Sequence, residues 1–543
     1  MTMTRPRTLL LAAAPLAFLM VFFVYPVLSI LVRGLAPTGS IDIGQVAATL
    51  SRPFIPEVVV FTFAQAVAST LLTVIAALPA AFVFARFEFR GRRLVSALAL
   101  VPFVLPTVVV AAAFAALLGP RGPFGLRLDQ TLFAILLAHV FYNFAIVLRI
   151  VAAAWESIDP RLEDAARTLG ATRWQAFRRV TLPLLRGAIG SAAAIVFLFT
   201  FTSFGVILIL GGPTFATIEV EIYRQAVQLF DLQAAALLSL IQLAFLGVLL
   251  IAHAAYQRRA TVALRAQVRA TTTRTPRNKG ERAFVGATLI GMAALLGLPL
   301  VMLVERSLQT GSGYGVGNYA ALAATNDATG LFVPPLDAIR NSLVFAVATT
   351  MLSTLLGLAA SHVIANGRGR FARALDVLVT LPLGTSAVIV GFGFLVALGS
   401  LPIDLRVSPL LIPIAHSLVA LPFVVRAVVP VMRSMDKRLH EAAATLGASP
   451  SQVWRRIDVP IIGRAALVGA GFAFAVSLGE FGATLFIVRP ETPTMPVAIF
   501  RMLGRPGDLA FGQAMAMATV LMVVTAAAIV LIDRIRLPRS EIV

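Results

Sequence analysis

The chain has no cysteine, which excludes disulfides, thiolate nucleophiles and cysteine-ligated metal centres. Charge is scarce as well. Asp, Glu, Lys and Arg make up 13% of the 543 residues, against about 25% in soluble globular proteins. Lysine occurs only at Lys279 and Lys437, and neither stands in the G-x-x-x-x-G-K-[ST] context of a phosphate-binding loop. ATP hydrolysis within this chain is thereby excluded. No residue is assigned to catalysis, to a metal or to a cofactor.

What is abundant is apolar sequence, 59% of the residues, gathered into runs such as LLLAAAPLAFLMVFFVYPVLSILV, Leu9 to Val32. About 20 such residues cross a bilayer. Hydropathy predicts spans over 9–32, 57–85, 94–118, 131–154, 187–211 and 234–255, then over 283–304, 342–365, 374–398, 408–430, 464–488 and 509–532. The chain therefore reads as an all-α polytopic membrane protein with about twelve transmembrane helices. The first run is long for a signal-peptide core and lacks a small-residue cleavage site, so it reads as a retained helix. Residues 1–256 form a first six-span half, 257–282 a polar linker, and 283–543 a second half.

The net charge of +20 would suggest nucleic acid in a soluble protein. Here the arginines collect on every second loop: Arg5 and Arg7, then Arg86 to Arg93, then Arg161 to Arg186. That is a topology signal, so nucleic acid is dropped, and the termini and the linker are expected in the cytoplasm.

Two stretches break the apolar pattern: DPRLEDAARTLGATRWQAFRRVTLP, Asp159 to Pro183, and DKRLHEAAATLGASPSQVWRRIDVP, Asp436 to Pro460. They align at an offset of 447 − 170 = 277, which also pairs Ser157 with Ser434 and Pro183 with Pro460. Each lies between the fourth and fifth span of its half. Six spans per half leave both copies in one orientation, so the repeat is parallel, and transporters commonly place the substrate path between such repeats. Asp159 is a good N-cap, Pro160 suits the first turn, and Gly170 stops the helix with positive φ expected there. Leu162, Ala165, Ala166 and Leu169 share one face, as do Leu439, Ala442, Ala443 and Leu446. Thr172 and Ser449 can each start a second short helix, which Pro183 and Pro460 are expected to stop. A low-bulk face of this kind suits a groove on a partner. The competing reading is a helix pair lying on the membrane surface. A DNA-reading helix-turn-helix is excluded by its place between spans.

The residues Glu163, Asp164, Ala165, Ala166, Leu169 and Gly170, with Glu441, Ala442, Ala443, Leu446 and Gly447 in the second copy, resemble the "EAA" loop of permease subunits of binding-protein-dependent ABC importers. The first copy departs in having Asp164 at the acidic position, and the second has Val459-Pro460 in place of Leu-Pro. The resemblance extends over the whole chain, in the fused two-half type. It implies that the loops are cytoplasmic coupling helices docking two ATP-binding subunits. It also implies an extracytoplasmic substrate-binding protein and a bacterial inner membrane location. Among fused permeases, thiamine importers are most similar and ferric iron importers next, so thiamine or a thiamine phosphate is the expected substrate.

Glu480 stands in an apolar span, where an acid is a functional candidate by default. It aligns with Ser203, since 480 − 203 = 277, and the two are read as gate or pathway residues. His362 and His416 read as packing or interface residues, and Asn143 and Asn341 as interhelical hydrogen-bond formers. A transporter driven by an ion gradient is the rival class. It would need several paired acids in spans, and Glu480 is the one clearly placed.

Overall fold

A computed structural model describes residues 5–36, 39–123, 125, 127–260, 273–311, 313–325, 330–367, 369–400 and 408–535. Most of the linker, 261–272, lies outside the described residues. Among those described, ten helices are long and apolar enough to cross a membrane, or twelve if each of two bent pairs is one span. In chain order these are span 1 (Leu11–Leu35), span 2 (Phe54–Arg86), the bent pair Arg92–Val104 with Thr107–Leu118 as span 3, span 4 (Leu132–Glu156), span 5 (Arg173–Phe201) and span 6 (Leu232–His253). Span 7 (Lys279–Leu308), span 8 (Pro335–Asn366), the bent pair Arg370–Gly384 with Ala387–Ala397 as span 9, span 10 (Leu411–Ser434), span 11 (Pro450–Gly479) and span 12 (Asp508–Ile532) follow.

The apolar runs become helices because a helix satisfies its backbone groups within itself, which a bilayer requires. Spans 3 and 9 depart from the straight helices that hydropathy suggests. They turn by 102° and 100° at Leu105-Pro106 and at Thr385-Ser386. Pro106 forces the residue before it out of the helical region, and Leu105 is extended at φ −65°, ψ 143°. Ser386 is extended and caps the helix that follows through Val388 N–H. Span 1 passes Pro26 through a π-turn at Met20–Val24, in which Tyr25 N–H reaches back to the Met20 carbonyl.

The chain forms two compact units that do not follow the two halves of the sequence. One holds 1–50, 222–240 and 307–543, and the other holds 51–221 and 241–306. Within the first unit, Phe18, Leu19 and Phe23 of span 1 pack with Leu356 and Val363 of span 8, Phe394 of span 9 and Leu418 of span 10. Within the second unit, Val285 of span 7 packs on Val83 and Phe87 at the end of span 2. The leading helix of each half thus sits in the unit that holds the other half's remaining spans.

Spans 8, 10 and 11 pack closely through small residues, as membrane helices do where lipid supplies no hydrophobic drive. A Cβ built on Gly469 would stand 2.9 Å from Val424 Cα, and one on Gly357 would stand 2.6 Å from Val424 Cγ1. Gly469→Val should therefore destabilise this unit by about 1–3 kcal/mol through overpacking. Adding Val424→Ala should return part of it. Thermal unfolding of the detergent-purified chain measures both, and equal melting of Gly469→Val and the native chain would contradict this packing.

Candidate functional site

The two polar loops share one construction. Asp159 and Asp436 accept the N–H groups of Arg161 and Arg438, each at 2.9 Å, and start helices Pro160–Thr168 and Lys437–Thr445. Gly170 (φ +92°) and Gly447 (φ +77°) end them. Ala171 N–H returns to the Ala166 carbonyl and Gly170 N–H to Arg167, and Ala448 and Gly447 repeat this to Ala443 and Ala444. This is the helix stop that a left-handed residue makes. Thr172 with Gln175, and Ser449 with Gln452, then form reciprocal capping boxes for the next turn.

The prolines do not stop these second helices, contrary to the sequence expectation. Pro183 and Pro460 have no N–H to give and crowd the carbonyl four residues back. Each chain absorbs this in a π-turn, Phe177–Thr181 and Trp454–Asp458, with Leu182 N–H donating to the Phe177 carbonyl and Val459 N–H to Trp454. Helix therefore runs without interruption from the loop into the span, Arg173–Phe201 and Pro450–Gly479.

Each loop is tied to its own exit. Thr181 donates its hydroxyl to Glu163 Oε1 at 2.6 Å, and Arg86 stands 3.5 Å from the same carboxylate. In the other loop His440 Nε2 lies 2.8 Å from Asp458 Oδ1. These are the same two positions, since 440 − 163 = 277 and 458 − 181 = 277. The opposite side of each loop is left open. Leu169 is 88% exposed and Leu446 87%, and Asp164, Ala165, Glu441 and Ala442 are exposed beside them, with Ala166 and Ala443 half-buried.

A second pair of matched sites lies where spans 5 and 11 break off. His139 of span 4 joins Ser69 of span 2 through Nδ1 at 2.9 Å, and Ser203 in the break through Nε2 at 2.8 Å. His416 of span 10 joins Ser477 through Nδ1 at 2.7 Å and Thr484 through Nε2 at 2.8 Å, with Glu480 Oε2 at 3.2 Å. Ser477 in turn donates to Thr349 of span 8 at 3.2 Å. Glu480 Oε1 accepts Ala483 N–H at 2.8 Å, and Oε2 accepts Thr484 N–H at 3.0 Å and the Thr484 hydroxyl. The carboxylate is buried and caps its own bend.

His139 was legible, because 416 − 139 = 277, but a lone histidine in an apolar run carries no signal until its twin is noticed. His416 is hydrogen-bonded through both nitrogens, to span 11 and to the stretch after it, and so stands at an interface between elements. Asn143 does not bridge helices: its amide donates to the His139 carbonyl one turn back, at 3.0 Å. Asn341 reaches the Pro493 carbonyl at 3.1 Å, in the stretch before the helix Met495–Leu503, so it joins its helix to a loop and not to another helix. His362 contacts Asn366 of its own helix. Two further hydroxyls were missed. Thr62 accepts Ile218 N–H at 3.0 Å and Ser342 accepts Met495 N–H at 2.8 Å, each holding the start of the helix that follows the break.

The family model for the "binding-protein-dependent transport system inner membrane component" matches residues 69–262 and again 353–539, one match in each half. The chain belongs to this family. It is a transport subunit of the inner membrane, built of two permease domains. It is 28% identical to the thiamine transport system permease protein of Brucella abortus over 89% of this chain and 88% of the relative. The corresponding protein of Escherichia coli is 26% identical over 82% of this chain and 83% of its own. The ferric transport system permease protein of Actinobacillus pleuropneumoniae is 25% identical over 96% of this chain and 77% of its own.

Glu480→Ala strands two buried N–H groups, each such loss costing about 1–3 kcal/mol, whereas Ser203→Ala removes one partner of His139. Thermal unfolding in detergent should rank Glu480→Ala well below Ser203→Ala, and the reverse order would contradict the capping role.

Proposed function

We propose that the chain is the permease of an ABC importer for thiamine or a thiamine phosphate, driven by two separate ATP-binding subunits docked on the two loops. The observation that carries the docking is the paired loop. Each is a rigidly capped helix whose outward apolar residues, Leu169 and Leu446, stand almost bare beside small alanines. Covering a leucine that now faces water is worth about 2 kcal/mol, and a low-bulk face admits close approach of a partner groove. Because helix continues from each loop into span 5 or span 11, a tilt imposed on the loop is delivered to the break where Ser203 or Glu480 sits. There Ser203 and Glu480 act as gate residues by holding the break against span 4 or span 10.

The surface-helix alternative would set the apolar face into lipid. It is disfavoured by the ties of each loop to its own exit, Glu163 to Thr181 and His440 to Asp458, which hold the loop as a unit. An ion-gradient mechanism would rest on Glu480, and that carboxylate is already engaged by its own turn. Thiamine is supported by the likeness to the thiamine transport permeases of Brucella and Escherichia, and ferric iron by that to the ferric transport permease of Actinobacillus. The ligand bound by the cognate binding protein decides between them: thiamine bound at low micromolar Kd supports the first reading, and ferric iron bound in its place overturns it.

The arginine-rich loops support a cytoplasmic position for both termini and the linker. With no native cysteine, a single Thr445→Cys should resist an impermeant maleimide in intact cells and react once the membrane is opened. Labelling in intact cells would reverse the orientation. One chain should carry two ATPase subunits, and a native mass showing one would remove a loop from the scheme.

Gly170→Asp and Gly447→Asp should each abolish uptake with the chain still inserted. A Cβ meets no atom at either position, so the cost comes from the positive φ, roughly 1 kcal/mol or more, and from a charge pressed into a protein contact. Normal uptake by both variants would show the loops to be surface helices.

A further inference from the structure

The described end of the linker is built against the foot of span 2, beside the first loop, and among the described residues the second loop shows no such arrangement. Arg274 N–H donates to the Arg86 carbonyl at 3.1 Å, and Glu88 N–H donates to the Arg274 carbonyl at 3.0 Å, so the linker pairs as a short parallel bridge with Phe87 at the foot of span 2. The Arg274 guanidinium lies 5.1 Å from the centre of the Phe87 ring and forks onto Glu281 at 2.6 and 2.8 Å. Glu281 also accepts Arg277 N–H at 2.8 Å. Such a two-pronged guanidinium–carboxylate pair fixes direction as well as distance. Arg86, whose carbonyl receives the linker, sends its own guanidinium to the Ile158 carbonyl at 3.1 Å, one residue before the loop's N-cap, and towards Glu163.

A second connection is aromatic. Phe284, three residues beyond Glu281, has its ring centre 6.0 Å from that of Phe82 of span 2. Phe82 is 5.2 Å from Trp155 of span 4, Trp155 is 5.8 Å from Phe177, and Phe177 is 5.6 Å from Trp174. The chain of rings runs from the start of span 7 to Trp174, 66% exposed on the loop. Ring pairs at these separations are each worth about 0.5–1.5 kcal/mol beyond their burial. Around spans 2 and 8 the halves align at 342 − 62 = 280, and from span 4 onward at 277. At the matching positions the second half has His362 for Phe82, Asn366 for Arg86, Met432 for Trp155 and Ser451 for Trp174.

We propose that the linker's C-terminal end is an arm that positions the first loop for its partner, with Arg274, Glu281 and Phe284 as positioning residues acting through Arg86 and Phe82. This rests on the reading of the loop as an ATPase dock. The arm stiffens one of the two docks, so the two ATPase subunits meet unequal sites. It also gives the linker a task besides joining the halves, since its described residues on both sides belong to the same compact unit.

The test uses the full chain in lipid nanodiscs with a single nitroxide label at Leu169→Cys or, as the internal control, at Leu446→Cys. Arg274→Ala, Glu281→Ala and Phe284→Leu should each raise label mobility at 169 and leave 446 unchanged, with Arg274→Lys falling between. The ATPase subunit that copurifies with the chain, titrated back, should show one of its two sites weakened three- to tenfold. Phe284→Leu keeps apolar bulk, so it reports even where an arginine variant fails to accumulate. Unchanged mobility at 169, or an equal rise at both labels, overturns the arm. If Gly170→Asp also leaves ATPase binding intact, the docking reading itself falls. If Gly170→Asp abolishes that binding while the arm variants change nothing, the arm alone falls.

Discussion

A backbone N–H or carbonyl that leaves its helix in apolar surroundings has no water to turn to, and the rest of this architecture follows from how the chain meets that demand. Where span 11 stops, Glu480 takes the free N–H groups of Ala483 and Thr484 onto its own carboxylate. Where the next helix begins, Ser342 takes Met495 N–H, as Thr62 takes Ile218 N–H in the other half. Where Pro183 and Pro460 remove a donor, the ladder widens into a π-turn and is preserved. The breaks are thus built as closed polar sites, and the stretch between loop and break is left as unbroken helix. Span 5 with its lead-in is 29 residues, roughly 40 Å at 1.5 Å per residue. A helix of that length is held at one end by the contact of Ser203 with His139 and at the other by the Glu163–Thr181 tie.

The ties also explain why the loops can leave apolar residues bare. Capping boxes, the glycine stop and the contact back to the exit already satisfy the polar groups of each loop from within. Leu169 and Leu446 then have no structural duty inside the chain. Their exposure suits the proposed contact with an ATPase.

The spans, the repeat and the loop helices were legible because hydropathy, capping residues and the 277 offset each follow from local sequence. Gly170 and Gly447 have the positive φ that their place at a helix end requires. The bends in spans 3 and 9 were hidden, because hydropathy measures transfer into lipid and is blind to direction; a turn of about 100° leaves composition unchanged. Pro183 was misjudged because a proline usually ends a helix, and only the surrounding packing shows when a widened turn is the cheaper answer. His139 escaped because a lone histidine in an apolar run gives no sign until it is set beside His416, and its partner Ser69 lies in span 2, where the halves align at 280. The placement of spans 1 and 7 in opposite units depends on contacts far apart in the chain, which no local pattern encodes.

Laid over each other, the halves keep contacts and exchange chemistry. Glu163 accepts from Thr181, while at the same two positions the acid has moved to Asp458 and faces His440. His139 faces a hydroxyl where His416 faces a carboxylate. What is held fixed is that two elements be joined at that point, and either side can supply the acid. Two identical subunits meeting about a twofold axis would have to present the same patch twice. A single chain carrying both copies is released from that symmetry. It can keep the frame of a pair while, among the described residues, one side carries the ring chain from Phe82 to Trp174 and the Arg274–Glu281 clasp. Fusion makes a one-sided brace available, and the clasp lies at the start of span 7.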